Sequence, residues 1–290
     1  MLRKKRKHIA FIVGLGQIGA SLGYDLMTSR MTAKVIGYDK SPAVCNIARR
    51  KRVISDIADS IAEGIASSDI IILATPIRET IKLLPLVCKT VTSGKIVIDV
   101  SGTKSEVFRK LKTLNCRAPY FSCHPIAGSE VSGIVGARKG LFKKATFVLV
   151  SHDGFDRSSL NTVTNLIKSI GALLLTLDAK THDRVIALTS NLPYVIALSL
   201  AELTASQSKK MPEVWNLAGG GLRSAIRVAM SSPELTFDML STNRANVASS
   251  IDLMIEQLNY MQRLILEGDD LKLKRIISRA NKVAAKVHNG

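Results

Sequence analysis

Between an apolar run at residues 9–13 and a helix-forming stretch from residue 17 lies Gly14-Leu15-Gly16-Gln17-Ile18-Gly19. Three glycines at this spacing leave a chain little choice. The first permits a sharp turn, the second lets backbone approach a pyrophosphate, and the third lets helix pack on strand. The amides that open the helix then face an anion, with the helix dipole behind them. A second apolar run ends at Gly37-Tyr38-Asp39, which puts Asp39 where a carboxylate accepts hydrogen bonds from an adenine ribose. The expected ligand is NAD, held by Gly14, Gly16, Gln17, Ile18, Gly19 and Asp39. Asp39 would repel the extra phosphate of NADP, while Lys40, Arg49 and Arg50 nearby soften that preference.

The pattern beyond the glycines fits the same fold. Strand-like runs occur at 9–13, 34–39, 70–76, 95–100, 120–123, 146–150 and 172–178, rich in Val and Ile and often apolar on both faces. Helical stretches at 17–30, 41–51, 76–91, 104–113 and 156–170 alternate with them. The expectation is an α/β protein whose residues 1–178 form a Rossmann-like doubly wound sheet. Ala74-Thr75-Pro76 and the segment Asp99 to Lys104 end two of its strands, which adds Thr75, Pro76, Ser101 and Lys104 to the expected cofactor site. After Asp178 the strand signal stops, and residues 179–290 read as an all-helical C-terminal domain. In it, 181–206 is a long helix with Pro193 inside, where a kink or break is expected. Ile251, Met254, Ile255, Leu258, Met261 and Ile265 form an apolar stripe suited to a core or to a subunit contact.

Charge raises a competing reading. Lys and Arg number 41 against 23 Asp and Glu, a net +18. Aromatic residues are only 4% of the chain, with Trp215 the single tryptophan, so basic and aromatic residues do not interleave as in single-strand binders. No nucleic-acid motif accompanies the charge, and five positive charges belong to the terminal run Arg3, Lys4, Lys5, Arg6 and Lys7. That run with the apolar stretch after it imitates a secretory signal, but regular glycines do not suit a signal core. No unbroken apolar run approaches the roughly 18 residues needed to cross a bilayer. Cys45, Cys88, Cys116 and Cys123 show neither a CxxC pair nor zinc spacing. The expectation is therefore a cytoplasmic protein with free thiols, no metal, no nucleic acid and no membrane partner.

Among the histidines, His8, His152 and His288 read as surface residues, and His182 as part of a helix start capped by Thr181 or Asp183. His124 differs: it ends a strand and is fixed by Pro125 beside the cofactor loops, where a histidine can take a proton from an alcohol.

In these motifs the chain resembles the prephenate/arogenate dehydrogenase family of tyrosine biosynthesis. The likeness runs through GLGQIGASL at 14–22, DVSGTK at 99–104, HPIAG at 124–128, THDRVIALTSNLP at 181–193 and GGGLRSAIRVAMSSP at 219–233. The resemblance implies NAD-dependent oxidative decarboxylation of prephenate, a dianionic substrate, to 4-hydroxyphenylpyruvate by a homodimer joined through its helical domain. Arogenate, alone or beside prephenate, is the alternative substrate. It also implies His124 as the proton acceptor and Arg227 as the carboxylate-binding residue, with Gly221 and Ser190 lining the substrate site from the same motifs. Two positions depart from the family pattern. Gly102 stands where members carry a serine bonded to the catalytic histidine, so Ser101 or Thr103 is the substitute hydroxyl. Asn191 stands where members carry the histidine of S-H-L-P and is taken as catalytic with His124 and Ser101. These departures also keep open a catalytically silent NAD-binding sensor. β-Hydroxyacid and imine dehydrogenases would leave HPIAG unexplained.

Overall fold

In the computed structural model, which describes residues 7–128, 131–151 and 156–289, the apolar runs assemble into one sheet. Residues 3–6 of the basic run, and His152, lie outside the described residues. The strands are β1 (His8–Val13), β2 (Thr32–Tyr38), β3 (Asp56–Ile57), β4 (Ile70–Leu73), β5 (Ile96–Asp99), β6 (Tyr120–Pro125), β7 (Thr146–Ser151) and β8 (Leu173–Asp178). Their order is β3-β2-β1-β4-β5-β6-β7-β8, all parallel except the β6–β7 pair. Both faces are covered, as the Val- and Ile-rich runs require. Ile12, Ile70, Ile72, Ile98 and Phe121 face one buried cluster, while Phe11, Val13, Ile71, Leu73 and Val97 face the other. Strand β3, with two residues, is too short to have shown in the sequence.

Strand order reverses between β1 and β4, which flank each other at the centre. Ligands of doubly wound sheets bind outside the carboxyl ends at such a switch point. Strand β6, parallel to β5, ends at the same carboxyl edge of the sheet, with His124 opposite Val148 and Pro125 opposite Phe147 in the antiparallel pair.

Contacts group the helices after β8 with the sheet as far as Asn243, and a second compact unit begins at Arg244. The helices Ala179–Ile186 and Leu192–Ser208 form one continuous rod through a π-helical segment, Ala187–Asn191. Pro193 does not end it. The Leu192 N–H reaches five residues back, to Ala187 O, so the wider turn sits just ahead of the residue that has no N–H to offer. By length and composition alone this rod could cross a membrane, but it carries the buried polar residues His182, Asp183 and Asn191. The second unit consists of the helices Arg244–Glu267 and Asp270–Asn289, which pack on each other. Ile255, Leu258 and Ile265 of the apolar stripe are exposed, and Ile251, Met254 and Met261 are half-buried. All four cysteines are free thiols.

One glycine shows how closely the sheet is covered. A Cβ on Gly64, in the helix Ile61–Ala66, would lie 2.2 Å from the ring of the fully buried Phe11. Alanine gains up to ~1 kcal/mol in helix propensity, but overpacking a fixed ring costs about 1–3 kcal/mol. Gly64→Ala is therefore expected to destabilise the protein by about 1–2 kcal/mol in urea unfolding.

Candidate active site

The glycine turn is built as its spacing requires. Gly14 has φ +91°, and a Cβ there would lie 2.7 Å from Ala74 O. A Cβ on Gly19 would lie 1.9 Å from Gly14 O, so the helix Gln17–Thr28 can meet β1 only through a glycine. At Gly16 a Cβ would meet nothing within 4 Å, because this residue faces an open cleft. Asp39 ties the turn to the end of β2: its Oδ2 accepts from Leu15 N at 2.9 Å and its Oδ1 from Ser41 N at 3.0 Å. The Gln17 amide donates to Val131 O at 3.0 Å and Gly136 O at 3.3 Å, joining a later segment to the turn. An open backbone approach at a helix N-terminus with a carboxylate at the next strand's end fits a dinucleotide.

The cleft measures about 470 Å³. Its floor comes from Gly16 to Ile18 after β1, Ala74 to Ile77 after β4, and Val100 to Thr103 after β5. One wall is the helix Pro233–Ser241, which presents Leu235, Asp238 and Met239. Arg78 clamps that wall: it pairs with Asp238 at 3.1 Å, donates to Ser241 Oγ at 2.8 Å and stacks over Phe237.

Beneath the β5 loop lies a fully buried ion pair. Lys104 Nζ is 3.1 Å from Asp99 Oδ1, and it also donates to Cys123 O and, at 3.4 Å, to Ser101 Oγ. Lys104 is therefore not a cofactor ligand, since its ammonium is spent joining β5 to β6 under the cleft. Ser101 lines the cleft, but its hydroxyl donates down to Asp99. The Thr103 hydroxyl pairs with Thr242 at 2.8 Å. Neither hydroxyl bonds His124, so neither substitutes for the serine that Gly102 lacks.

His124 is held from the other side. Its Nδ1 lies 2.9 Å from His182 Nε2, and His182 Nδ1 lies 2.8 Å from Asp183 Oδ1. Asp183 further accepts from Lys104 N at 2.9 Å and Ser105 N at 2.8 Å. Burial pushes the Asp183 carboxyl up, but these hydrogen bonds outweigh it and leave it below its ordinary value. Burial, the Lys104 charge and His182 together hold His124 well below its ordinary 6.5, so it is neutral at pH 7. Its other nitrogen, Nε2, lies beside Gly102 of the cleft floor, 3.8 Å from where a Cβ there would stand. The arrangement is a neutral imidazole base beside a dinucleotide cleft. The helix start that the sequence placed at Thr181–Asp183 is instead capped by Asp178, which accepts from Thr181 N at 2.9 Å.

Family models match nearly the whole chain: the nucleotide-binding domain of prephenate dehydrogenase at residues 22–176 and its dimerization domain at 178–279. The chain belongs to the prephenate dehydrogenase family. Prephenate dehydrogenase of Bacillus subtilis is 29% identical over 276 residues, 94% of this chain and 74% of that protein. Cyclohexadienyl dehydrogenase of Zymomonas mobilis is 28% identical over 267 residues, covering 91% and 90%. The fold is shared with A. aeolicus prephenate dehydrogenase, solved with hydroxyphenyl propionate and NAD+: TM-score 0.91, 24% identity, 97% of this chain and 99% of that one.

The other residues assigned by resemblance are placed as follows. Arg227 starts an exposed 3-10 turn and does not line the cleft. Gly221 lines a separate hollow with Met211, Val214 and Leu217. Asn191 is fully buried, its Oδ1 accepting from Asn243 Nδ2 at 2.9 Å, so it braces the rod and does not reach the cleft. Ser190 is half-buried beside Met239, whose side chain does line the cleft. His182 was missed because its partner in space, His124, is 58 positions away in sequence.

Removing one member of a buried ion pair strands the other charge. Lys104→Met is expected to cost ~3–5 kcal/mol in urea unfolding, and adding Asp99→Asn should recover most of it.

Proposed function

We propose that the protein is a cytoplasmic, NAD-dependent prephenate dehydrogenase that works as a homodimer. The observation that carries the reading is His124, held by His182 with its Nε2 beside Gly102 of a cleft that the glycine turn also lines, in a chain that matches its family across both domains. The bound cofactor supplies the hydride acceptor. Gly14, Gly16 and Gly19 admit its pyrophosphate to the start of the helix Gln17–Thr28, and Thr75, Pro76 and Ser101 line the same cleft. Asp39 favours NAD, because a ribose 2′-phosphate would meet a carboxylate already at the end of β2. His124 takes the proton of the substrate's ring hydroxyl at Nε2 as that carbon is oxidised; loss of CO2 then leaves an aromatic ring. The proposed division of labour keeps residues 1–178 for the cofactor and 179–290 for substrate and dimer contacts. Exposed apolar residues of the second unit, among them Leu253, Leu258 and Leu266, supply surface for a partner subunit.

A second reading, that arogenate is also oxidised, has its own support. Glu234 and Asp238 line the cleft and no Lys or Arg does among the described residues, which suits an amino group on the substrate. Turnover with NAD on each of the two substrates tests both. Prephenate-dependent NADH formation is expected; its absence with either substrate would leave the silent NAD-binding reading. His124→Asn is expected to lower kcat at least ~100-fold while NAD affinity is unchanged. Near-normal turnover would remove His124 from this role.

A further inference from the structure

We propose that His182 and Asp183 are positioning residues that fix the tautomer of His124 and leave its Nε2 free to accept a proton. The inference rests on the reading of His124 as the base in the proposed oxidation. The argument starts from Asp183. An ionised carboxylate only accepts hydrogen bonds, and Asp183 is kept ionised by Lys104 N and Ser105 N on its two oxygens. At 2.8 Å from Asp183 Oδ1, His182 Nδ1 must therefore carry a hydrogen. With a single N–H on His182, that hydrogen sits on Nδ1 and Nε2 presents a lone pair. Across 2.9 Å, His124 Nδ1 supplies the matching N–H. His124 is neutral in turn, so its remaining nitrogen, Nε2, is bare and lies on the Gly102 side of the cleft.

The direction of this chain of bonds decides what His124 can do. Reversed, it would put a hydrogen on Nε2, and the ring could donate to a hydroxyl oxygen but not take its proton. Buried carboxylates that orient a catalytic histidine work in this way in unrelated enzymes, where loss of the carboxylate leaves the geometry but yields the wrong tautomer. When His124 accepts a proton it becomes an imidazolium, and its Nδ1–H bond to His182 becomes charge-assisted and stronger. Gly102 sharpens the need for support from behind, since no side chain at that position can bond Nε2. The frame is rigid: Asn243 Nδ2 donates to Asp183 O at 2.8 Å, and the two histidine rings meet edge-on with centroids 5.1 Å apart.

Nitrogen-15 NMR of the histidine rings in the intact wild-type protein reads the tautomer directly, with the His124→Asn spectrum as the assignment control. The Nδ1–H form is expected for both His124 and His182. His124 in the Nε2–H form would overturn the proposal, and the tautomer itself is read on the wild-type protein. In kinetics, His182→Leu is expected to lower kcat for prephenate at least ~10-fold with the KM for NAD unchanged. His182→Gln, which can keep an acceptor where Nε2 stands, should recover much of the loss. Wild-type kcat in His182→Leu would contradict the positioning role. A protein that holds the Nδ1–H tautomer yet leaves prephenate and arogenate unoxidised would refute the proposed function and leave the tautomer assignment standing.

Discussion

The Asp183 carboxylate carries more of this site than any other group. It accepts the backbone N–H groups of Lys104 and Ser105, where the β5 loop turns into a helix, and it meets His182 on its own helix. Lys104 extends the same frame downward, its side chain joining Asp99 on β5 to Cys123 O on β6. Two adjoining networks thus register β5, β6 and the first helix after β8 against one another. His124, one residue beyond Cys123, inherits its place from them. The frame holds buried charges of both signs, so removing one member leaves another without a partner.

What could be read in the sequence was the periodic and the local. Seven strands announced themselves as Val- and Ile-rich runs, and the glycine turn could be assigned atom by atom because a missing Cβ has few uses at that spacing. Contacts between distant positions could not be read. His182 looked like a helix-start residue because its sequence neighbours are good caps, whereas its partner lies on β6. Lys104 looked like a cofactor ligand because it ends a cleft loop, but its side chain is fully buried and bonds Asp99 and Cys123 O. Pro193 was expected to kink a helix; a π turn one residue upstream absorbs the missing N–H. Arg227 and Gly221 do not line the described cleft, and their roles rest on the motif alone.

The net charge of +18 is not spent inside the cleft, whose described lining contains Glu234 and Asp238 and no Lys or Arg. Within reach of the base, the influential cation is Lys104, buried below it. Its effect is on protonation, since a fixed positive charge under His124 disfavours the imidazolium.

The central claim is that neutral His124 is the base for the oxidation, and the pH dependence of the chemical step tests it most directly. Because burial, Lys104 and His182 hold His124 well below 6.5, the single-turnover rate of prephenate oxidation should stay flat as pH falls through 6.5. It should decline only at lower pH, as the ring gains a proton and loses its lone pair. An acid limb centred at or above 6.5, or one that persists unchanged in His124→Asn, would contradict the claim.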